Sequence, residues 1–427
     1  MEERTIKQLL AEPRTLDELH VPQNLVIDLI FRLLYNEGNV ALARFTEVLK
    51  ISKSIIDDIL LWMQKEHLVE VSKASAELGR LSNVYTLTSM GEERARSAME
   101  RSQYVGPVPV SIPYYNQGIE LQTQSLQKVT ADQVKNALRH LILPENFHRA
   151  IGPAVNGGRS LFLYGPPGNG KTTIAMAIAK LLSGADPIWI PYAITAGGQI
   201  IQIHDRLVHK QVPTQKGRTT ELGRYDQRWA LIERPAVTAG GELKMDALDL
   251  RFDPIAKFYE APLQLKANGG MFLIDDFGRQ QVTVSDLLNR WIVPLESNID
   301  FLRLQSGQTI VVPFRQLTVF STNLDPHQLV DDAFLRRIQI KVAVKAPDEK
   351  LYFQIFVTMA KELNIPFNKD AFLYLLQKWY RQPGRKMQAV HPRDLLKIIR
   401  VICEYDGTPP RMTPELIDEA CASYFVD

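Results

Sequence analysis

Between residues 25 and 67, apolar positions recur at helical spacing in Leu25–Tyr35, Ala43–Leu49 and Ile55–His67. Leu68-Val69-Glu70-Val71 and Val84-Tyr85-Thr86-Leu87-Thr88 alternate and predict two strands, followed by a helix from Met90 to Met99. Gly106-Pro107-Val108-Pro109-Val110 opens a stretch to residue 127 whose composition predicts a linker. Short apolar runs then appear at Leu161-Phe162-Leu163-Tyr164 and Met271-Phe272-Leu273-Ile274, with an alternating-to-apolar strand at 317–323 and a further strand at 338–342. Runs of this length and character predict buried parallel strands, with a helix at Ile174–Lys180. After Ala346-Pro347 the helical period returns near Asp348–Leu363, Lys369–Arg381, His391–Tyr405 and Thr413–Phe425, punctuated by Gly and Pro.

The strand at 161–164 and the helix at 174–180 flank Gly165-Pro166-Pro167-Gly168-Asn169-Gly170-Lys171-Thr172-Thr173. Strand, Gly-rich loop and helix in this order make a phosphate-binding loop. Glycines let the backbone curl so that several N–H groups face phosphate oxygens, and the helix N-terminus adds partial positive charge. Lys171 would reach the β- and γ-phosphates of ATP, and the Thr172 hydroxyl would take one Mg²⁺ position.

The strand at 271–274 ends in Asp275-Asp276. Ligands of open α/β sheets sit beyond the carboxyl ends of the strands, so this pair is placed for metal and water. Asp275 would contact Mg²⁺, and Asp276 would orient or deprotonate the attacking water. Asn323 ends the next strand and could hold that water. Arg336 and Arg337 stand just before the strand at 338–342, and Arg393 lies in the first turn of a helix that opens His391-Pro392.

In this order the pieces resemble an AAA+ ATPase from about residue 128 to 427. Residues 165–172 are similar to Walker A, and 271–276 to Walker B. Asn323 stands at the position of sensor 1, Arg336 and Arg337 at the arginine finger, and Arg393 at sensor 2. The resemblance implies an α/β P-loop fold with a five-stranded parallel sheet in the order 5-1-4-3-2 and a C-terminal helical lid. It also implies a homo-oligomeric ring, usually a hexamer, with ATP at each subunit boundary and one arginine acting in trans. Which of the two adjacent arginines does so stays open. The family usually carries Glu where this chain has Asp276, one methylene shorter, which implies slow hydrolysis or a shifted strand.

Two further segments narrow the class. Residues 298–314 alternate, turn at Ser306-Gly307-Gln308, and alternate again, which predicts a hairpin. It resembles the pre-sensor-1 hairpin shared by MoxR-type proteins, magnesium chelatase subunits and enhancer-binding activators. Residues 194–258 form a long insertion with predicted strands at Trp229–Val237 and Leu243–Leu250 around Gly240-Gly241. Its Arg206, His209, Lys210, Lys216, Arg218 and Arg224 could meet nucleic acid or an acidic client, or simply be solvated.

Composition bounds the rest. A chain of 427 residues with 45% hydrophobic content is expected to fold as two or three compact units. The expected division is 1–105, a linker at 106–127, 128–346, and 347–427. No apolar run is long enough to span a membrane, Met1-Glu2-Glu3-Arg4 is no signal peptide, and two cysteines form no disulfide framework. A cytoplasmic location is expected. The histidines show no zinc-ligand spacing.

The first hundred residues, three helices, a two-stranded ribbon and a helix, resemble a winged helix-turn-helix. Residues 1–101 hold 13 basic and 16 acidic side chains, the wrong balance for phosphate contact. Protein docking or dimerisation is therefore preferred to DNA binding, although Lys73 and Arg80 in the wing keep DNA open. The leading expectation is a ring ATPase that remodels a macromolecular client, most simply a protein. A DNA-associated ATPase and a slow nucleotide-state switch are the alternatives.

Overall fold

The computed structural model describes residues 5–73, 83–124, 128–144, 147–157, 160–213, 225–326 and 335–425. Its centre is a sheet of five parallel strands in the spatial order Ala236–Ala239, Met271–Ile274, Leu317–Thr322, Ser160–Tyr164, Ile340–Ala343. Numbered along the chain, with the Ser160–Tyr164 strand first, this is 5-1-4-3-2 read from the Ile340 edge.

Alternation along each strand sorts its side chains onto two faces. Leu161, Leu163, Leu273 and Val319 meet Ile174, Ala175 and Ile178 of the helix Lys171–Ser183. Phe162, Phe272 and Phe320 turn to the other face, where Trp291 of the helix Val284–Ser297 covers them. Phe320 lies 6.0 Å from Phe162, 5.2 Å from Phe277 and 5.6 Å from Trp291 by ring centroids. Each buried ring contributes roughly 1.5–3 kcal/mol. Both faces are thus dry, which is why the strands read as continuous apolar runs.

Residues 194–258 differ from expectation. Ala236–Ala239 is the edge strand of the parallel sheet, not part of an inserted ribbon. Leu243–Leu250 is no strand; it holds the 3-10 turn Met245–Leu248, with Leu248 buried. The strands Ile188–Pro191 and Trp229–Ile232 pair with each other instead. A separate five-stranded mixed sheet runs Arg251–Asp253, Phe258–Glu260, Gln199–Gln202, Ala193–Ala196, Val110–Ser111. The hairpin Ile299–Arg303 with Thr309–Pro313 forms as expected, turning through Gly307.

The expected linker is ordered and packed. Val110–Ser111 joins that second sheet, and Ile112–Gln124 is a helix with Tyr115 and Ile119 fully buried. Gly118 faces the Trp229 ring so closely that a Cβ there would lie 2.6 Å from it. The stripe Tyr115-Gly118-Ile119-Gln122 carries too little hydrophobicity to register as a helix period.

In the N-terminal region, helices Gln23–Glu37, Leu42–Leu49, Lys53–Lys65 and Ser89–Arg101 surround a three-stranded antiparallel sheet. Its strands are Val40–Ala41, Val84–Leu87 and Val69–Lys73, with Val84–Leu87 central. Residues 74–82, which include Arg80, lie outside the described residues. The core of this region continues into Ala193 and Ile200 of the second sheet. A buried ion pair, Arg228 with Asp226 at 2.7 Å, ties the parts together. Arg228 also donates to the carbonyls of Leu19 and Pro109.

The C-terminal helices are Glu349–Glu362, Lys369–Leu375 running into a π-turn at Leu376–Arg381, His391–Tyr405 and Pro414–Tyr424. They share one core that includes Tyr352, Phe356, Phe372, Leu396 and the free thiols Cys403 and Cys421. No helix among the described residues is long and apolar enough to cross a membrane.

Candidate active site

Parallel strands in register bring their carboxyl ends to one edge. Thr322 pairs with Tyr164, and Ile274 pairs with Phe320. The residues that follow, Gly165, Asp275 and Asn323, therefore emerge side by side.

The loop after Tyr164 is shaped by glycine. Gly165 has φ +139°, and a Cβ there would meet the Val344 carbonyl oxygen at 2.3 Å. Gly168 has φ +73° and touches the C-terminal helical region: a Cβ would lie 2.4 Å from Gln388. Pro166 and Pro167 are exposed at the bend. Asn169 is buried, donates through Nδ2 to the Pro166 carbonyl at 3.2 Å, and accepts from the Ala389 N–H at 3.1 Å. Gly170 precedes the helix Lys171–Ser183 with no side-chain cap, leaving the first-turn N–H groups to a ligand or water.

Lys171 is the buried cation of the loop. Its Nζ donates to the carbonyls of Gly165 at 2.8 Å and Pro166 at 2.9 Å. Burial pulls its pKa below the ordinary lysine value, while Asp276 and Asp275 pull it back up. Thr172 Oγ1 donates to Asp275 Oδ2 at 2.8 Å, across 103 positions of sequence. A hydroxyl and a carboxylate held this close fit the coordination of a hard divalent cation. Thr173, next on the helix, is exposed.

Asp276 occupies the left-handed region, φ +49°. This is one of the few conformations that Asp tolerates better than most residues. It turns the carboxylate back to the sheet, where Asp276 Oδ1 accepts from Asn323 Nδ2 at 3.1 Å. The structure thus brings together Lys171, Thr172, Asp275, Asp276 and Asn323.

It does not bring in the arginines. Arg337 Nε pairs with Glu296 at 2.6 Å, at the last turn of Val284–Ser297. Arg336 is exposed and makes no side-chain hydrogen bond or ion pair among the described residues. Arg393 Nε bonds its neighbour Asp394 at 3.0 Å. Its helix nevertheless starts at the phosphate loop, because the Val390 N–H donates to the Gly168 carbonyl at 2.9 Å.

Sequence reasoning missed Gln280. Its Nε2 donates to the carbonyls of Asp275 at 2.8 Å and Asp276 at 3.2 Å, and its Oε1 accepts from Gly278 N–H at 2.8 Å. It braces the turn that aims both carboxylates. A lone Gln in a loop carries no periodic signal by which to find it. The contacts of Gln388, Ala389 and Val390 with the loop were equally silent.

Residues 138–188 match the family described as Magnesium chelatase, subunit ChlI. That match covers only residues 138–188 of a chain of 427, and the strand order and the paired loops are in keeping with it. The loop 165–172 and the strand Met271–Ile274 with the two aspartates stand where the AAA+ resemblance expects Walker A and Walker B. Residues 348–423 match a domain of unknown function, DUF8689. No curated protein matches. Among solved structures, NtrX from Brucella abortus in complex with ADP is similar at 15% identity and TM-score 0.40, over 76% of this chain and 64% of that one. A Thermotoga maritima RuvB point mutant is similar at 14% identity and TM-score 0.37, over 71% of this chain and 74% of that one. At such TM-scores these likenesses carry no argument about this chain.

Proposed function

We propose that this chain is an AAA+ ATPase that hydrolyses ATP at the boundaries of a homo-oligomeric ring and uses the cycle to remodel a protein client. The observation that carries the ATPase reading is the joined pair of contacts Thr172–Asp275 and Asp276–Asn323 at the mouth of the Walker A loop.

The residues fit ATP and Mg²⁺. Gly165, Gly168 and Gly170 have the positive φ that a phosphate cradle requires, and Lys171 is already held inside the loop. Thr172 and Asp275 would hold Mg²⁺, which supplies positive charge to the phosphates. Pro166, Pro167, Asn169 and Thr173 would shape the rest of the cradle. Asp276 would accept the proton of a water attacking the γ-phosphorus, as the bond to the β-phosphate oxygen breaks and ADP leaves with that electron pair. Asn323 would fix the Asp276 carboxylate for that role.

The exposure of Arg336 favours it over Arg337 as the finger offered to a neighbouring subunit, since Arg337 is held by Glu296. Arg393 would reach phosphate from the lid, 347–427, once released from Asp394. Residues 1–105 are read as a winged-helix-like docking module; its excess of acidic groups favours a protein partner over DNA.

Asp276→Asn tests the chemistry. The amide keeps shape but cannot take the proton, so nucleotide affinity by calorimetry should stay near that of the unaltered chain while kcat collapses. A kcat within about twofold, under half a kcal/mol of barrier, would remove Asp276 from this role.

A further inference from the structure

Where the N-terminal region meets the second sheet, the chain leaves a groove of about 1220 Å³. It is walled by Tyr104, Pro107, Phe258, His204 and Lys266, among others. Its acidic lining is already engaged. Lys266, buried, takes Asp205 at 2.9 Å and Glu260 at 2.6 Å, and Arg251 shares Glu260 at 3.3 Å. Asp253 Oδ1 accepts from the N–H groups of Ile255 and Ala256.

Three other cations of the lining are not engaged among the described residues. Among the described residues, Lys50, Arg206 and Lys210 line the groove with no hydrogen bond or ion pair through their side chains. His209 adds no charge. The Asp205 N–H donates to its Nδ1 at 2.9 Å, so its Nε2–H must donate to the Lys266 carbonyl at 2.8 Å. That ring is buried and neutral, unlike the solvated basic residue its sequence position implies.

Apolar surface lies beside this charge. Leu207, next to Arg206, is 93% exposed, and Ile255, beside Asp253, is 75% exposed. We propose that the groove binds an acidic polypeptide segment that also carries apolar side chains. Its carboxylates would meet Lys50, Arg206 and Lys210, and its apolar groups would cover Leu207 and Ile255.

The volume exceeds the roughly 300–1,000 Å³ of small-molecule sites. Nucleic acid fits less well, because single strands need free aromatic faces to stack on. Tyr104 is buried edge-on against Phe258, and Tyr192 packs at a tilt against His204. The inference rests on the reading that the client is a protein, but the binding itself needs no ATP hydrolysis.

The test uses the full chain without nucleotide. The probe is a fluorescein-labelled peptide of about a dozen residues repeating Glu-Glu-Leu; a Lys-Lys-Leu peptide and an oligothymidylate of similar charge serve as controls. Fluorescence polarisation should show salt-sensitive binding of the acidic peptide alone. Arg206→Glu with Lys210→Glu should weaken it about tenfold or more. Both side chains are exposed, so the fold should hold. Lys50→Gln provides a second, milder variant and should weaken it severalfold. Calorimetric ATP binding should be unchanged in all variants, which separates failure of the groove from failure of the nucleotide site. No binding of the acidic peptide, tighter binding of the oligonucleotide, or affinity within twofold after charge reversal would each overturn the proposal.

Discussion

Replacing Gln280 by Ala removes its side-chain brace on the acidic turn and leaves the anchoring of Phe277 to Ser321 and Thr322 in place. The side chain makes three, at 2.8, 3.2 and 2.8 Å. A net hydrogen bond contributes about 1 kcal/mol, and this site is half-buried, so the three together stabilise the turn by about 2 kcal/mol. Asp276 holds φ +49°, which costs about 1 kcal/mol even for Asp. Without the brace that conformation loses its side-chain support, and the carboxylate should spend less time in its place beside Asn323. Misplacing a reacting group by about 1 Å costs on the order of 10²-fold in rate. Gln280→Ala should therefore lower kcat by about 10- to 100-fold. KM and calorimetric ATP affinity should stay within about threefold, because Lys171 and the loop glycines do not touch Gln280. Gln280→Glu keeps the acceptor for Gly278 but loses both donations, and should behave like Ala. An unchanged kcat in a folded Gln280→Ala protein would refute the reasoning. A fall in affinity equal to the fall in kcat would show a general collapse of the site instead.

Other outcomes follow from the same contacts. Lys171→Ala should abolish tight Mg-ATP binding by calorimetry, since the lost cation faces a polyphosphate. Gly168→Ala combines a positive φ with a Cβ placed 2.4 Å from Gln388 and 2.9 Å from Val390. It should free residues 385–390 from the loop, seen as faster amide exchange at Ala389 and Val390. Burial drives His209 down to about 4, so it stays neutral in the fold while the unfolded chain titrates near 6.5. A depressed histidine leaves stability complete above the unfolded value and removes it as pH falls, by about 2–3 kcal/mol as pH approaches 4. His209→Gln should flatten that part of the denaturation profile, and an equally steep profile would assign the loss to other groups.

The glycine-rich loop and the acidic strand were legible as elements because each is a contiguous run bounded by an apolar strand. Asn323 was legible because it ends such a strand. Ala236–Ala239 was not, because Ala-Val-Thr-Ala is short and weakly apolar; only pairing with Met271–Ile274 makes it the sheet edge. The helix Ile112–Gln124 was hidden by the Gly and Pro before it and by a buried face built on Tyr115 and Gly118. Gln280 and Gln388 act through single side-chain contacts fixed only after the chain has folded. Arg336 and Arg337 are adjacent in sequence, and only the Glu296 pairing separates them. Lys216, Arg218 and Arg224, singled out for their charge, lie outside the described residues, as does Arg80.

The central claim is catalysis shared between subunits, and one mixing measurement addresses it. Asp276→Asn protein and Arg336→Ala,Arg337→Ala protein are each assayed alone, then combined under conditions where subunit exchange is demonstrated. Each alone lacks one half of every interface. In a mixed ring, some interfaces pair an intact Asp276 with an intact arginine donor. Arginine fingers contribute on the order of 10³-fold or more to rate, so restored activity should stand clear of either parent. Specific activity of the unaltered chain should also rise with protein concentration. No recovery on mixing, together with activity independent of concentration, would contradict the ring and point to a self-contained ATPase.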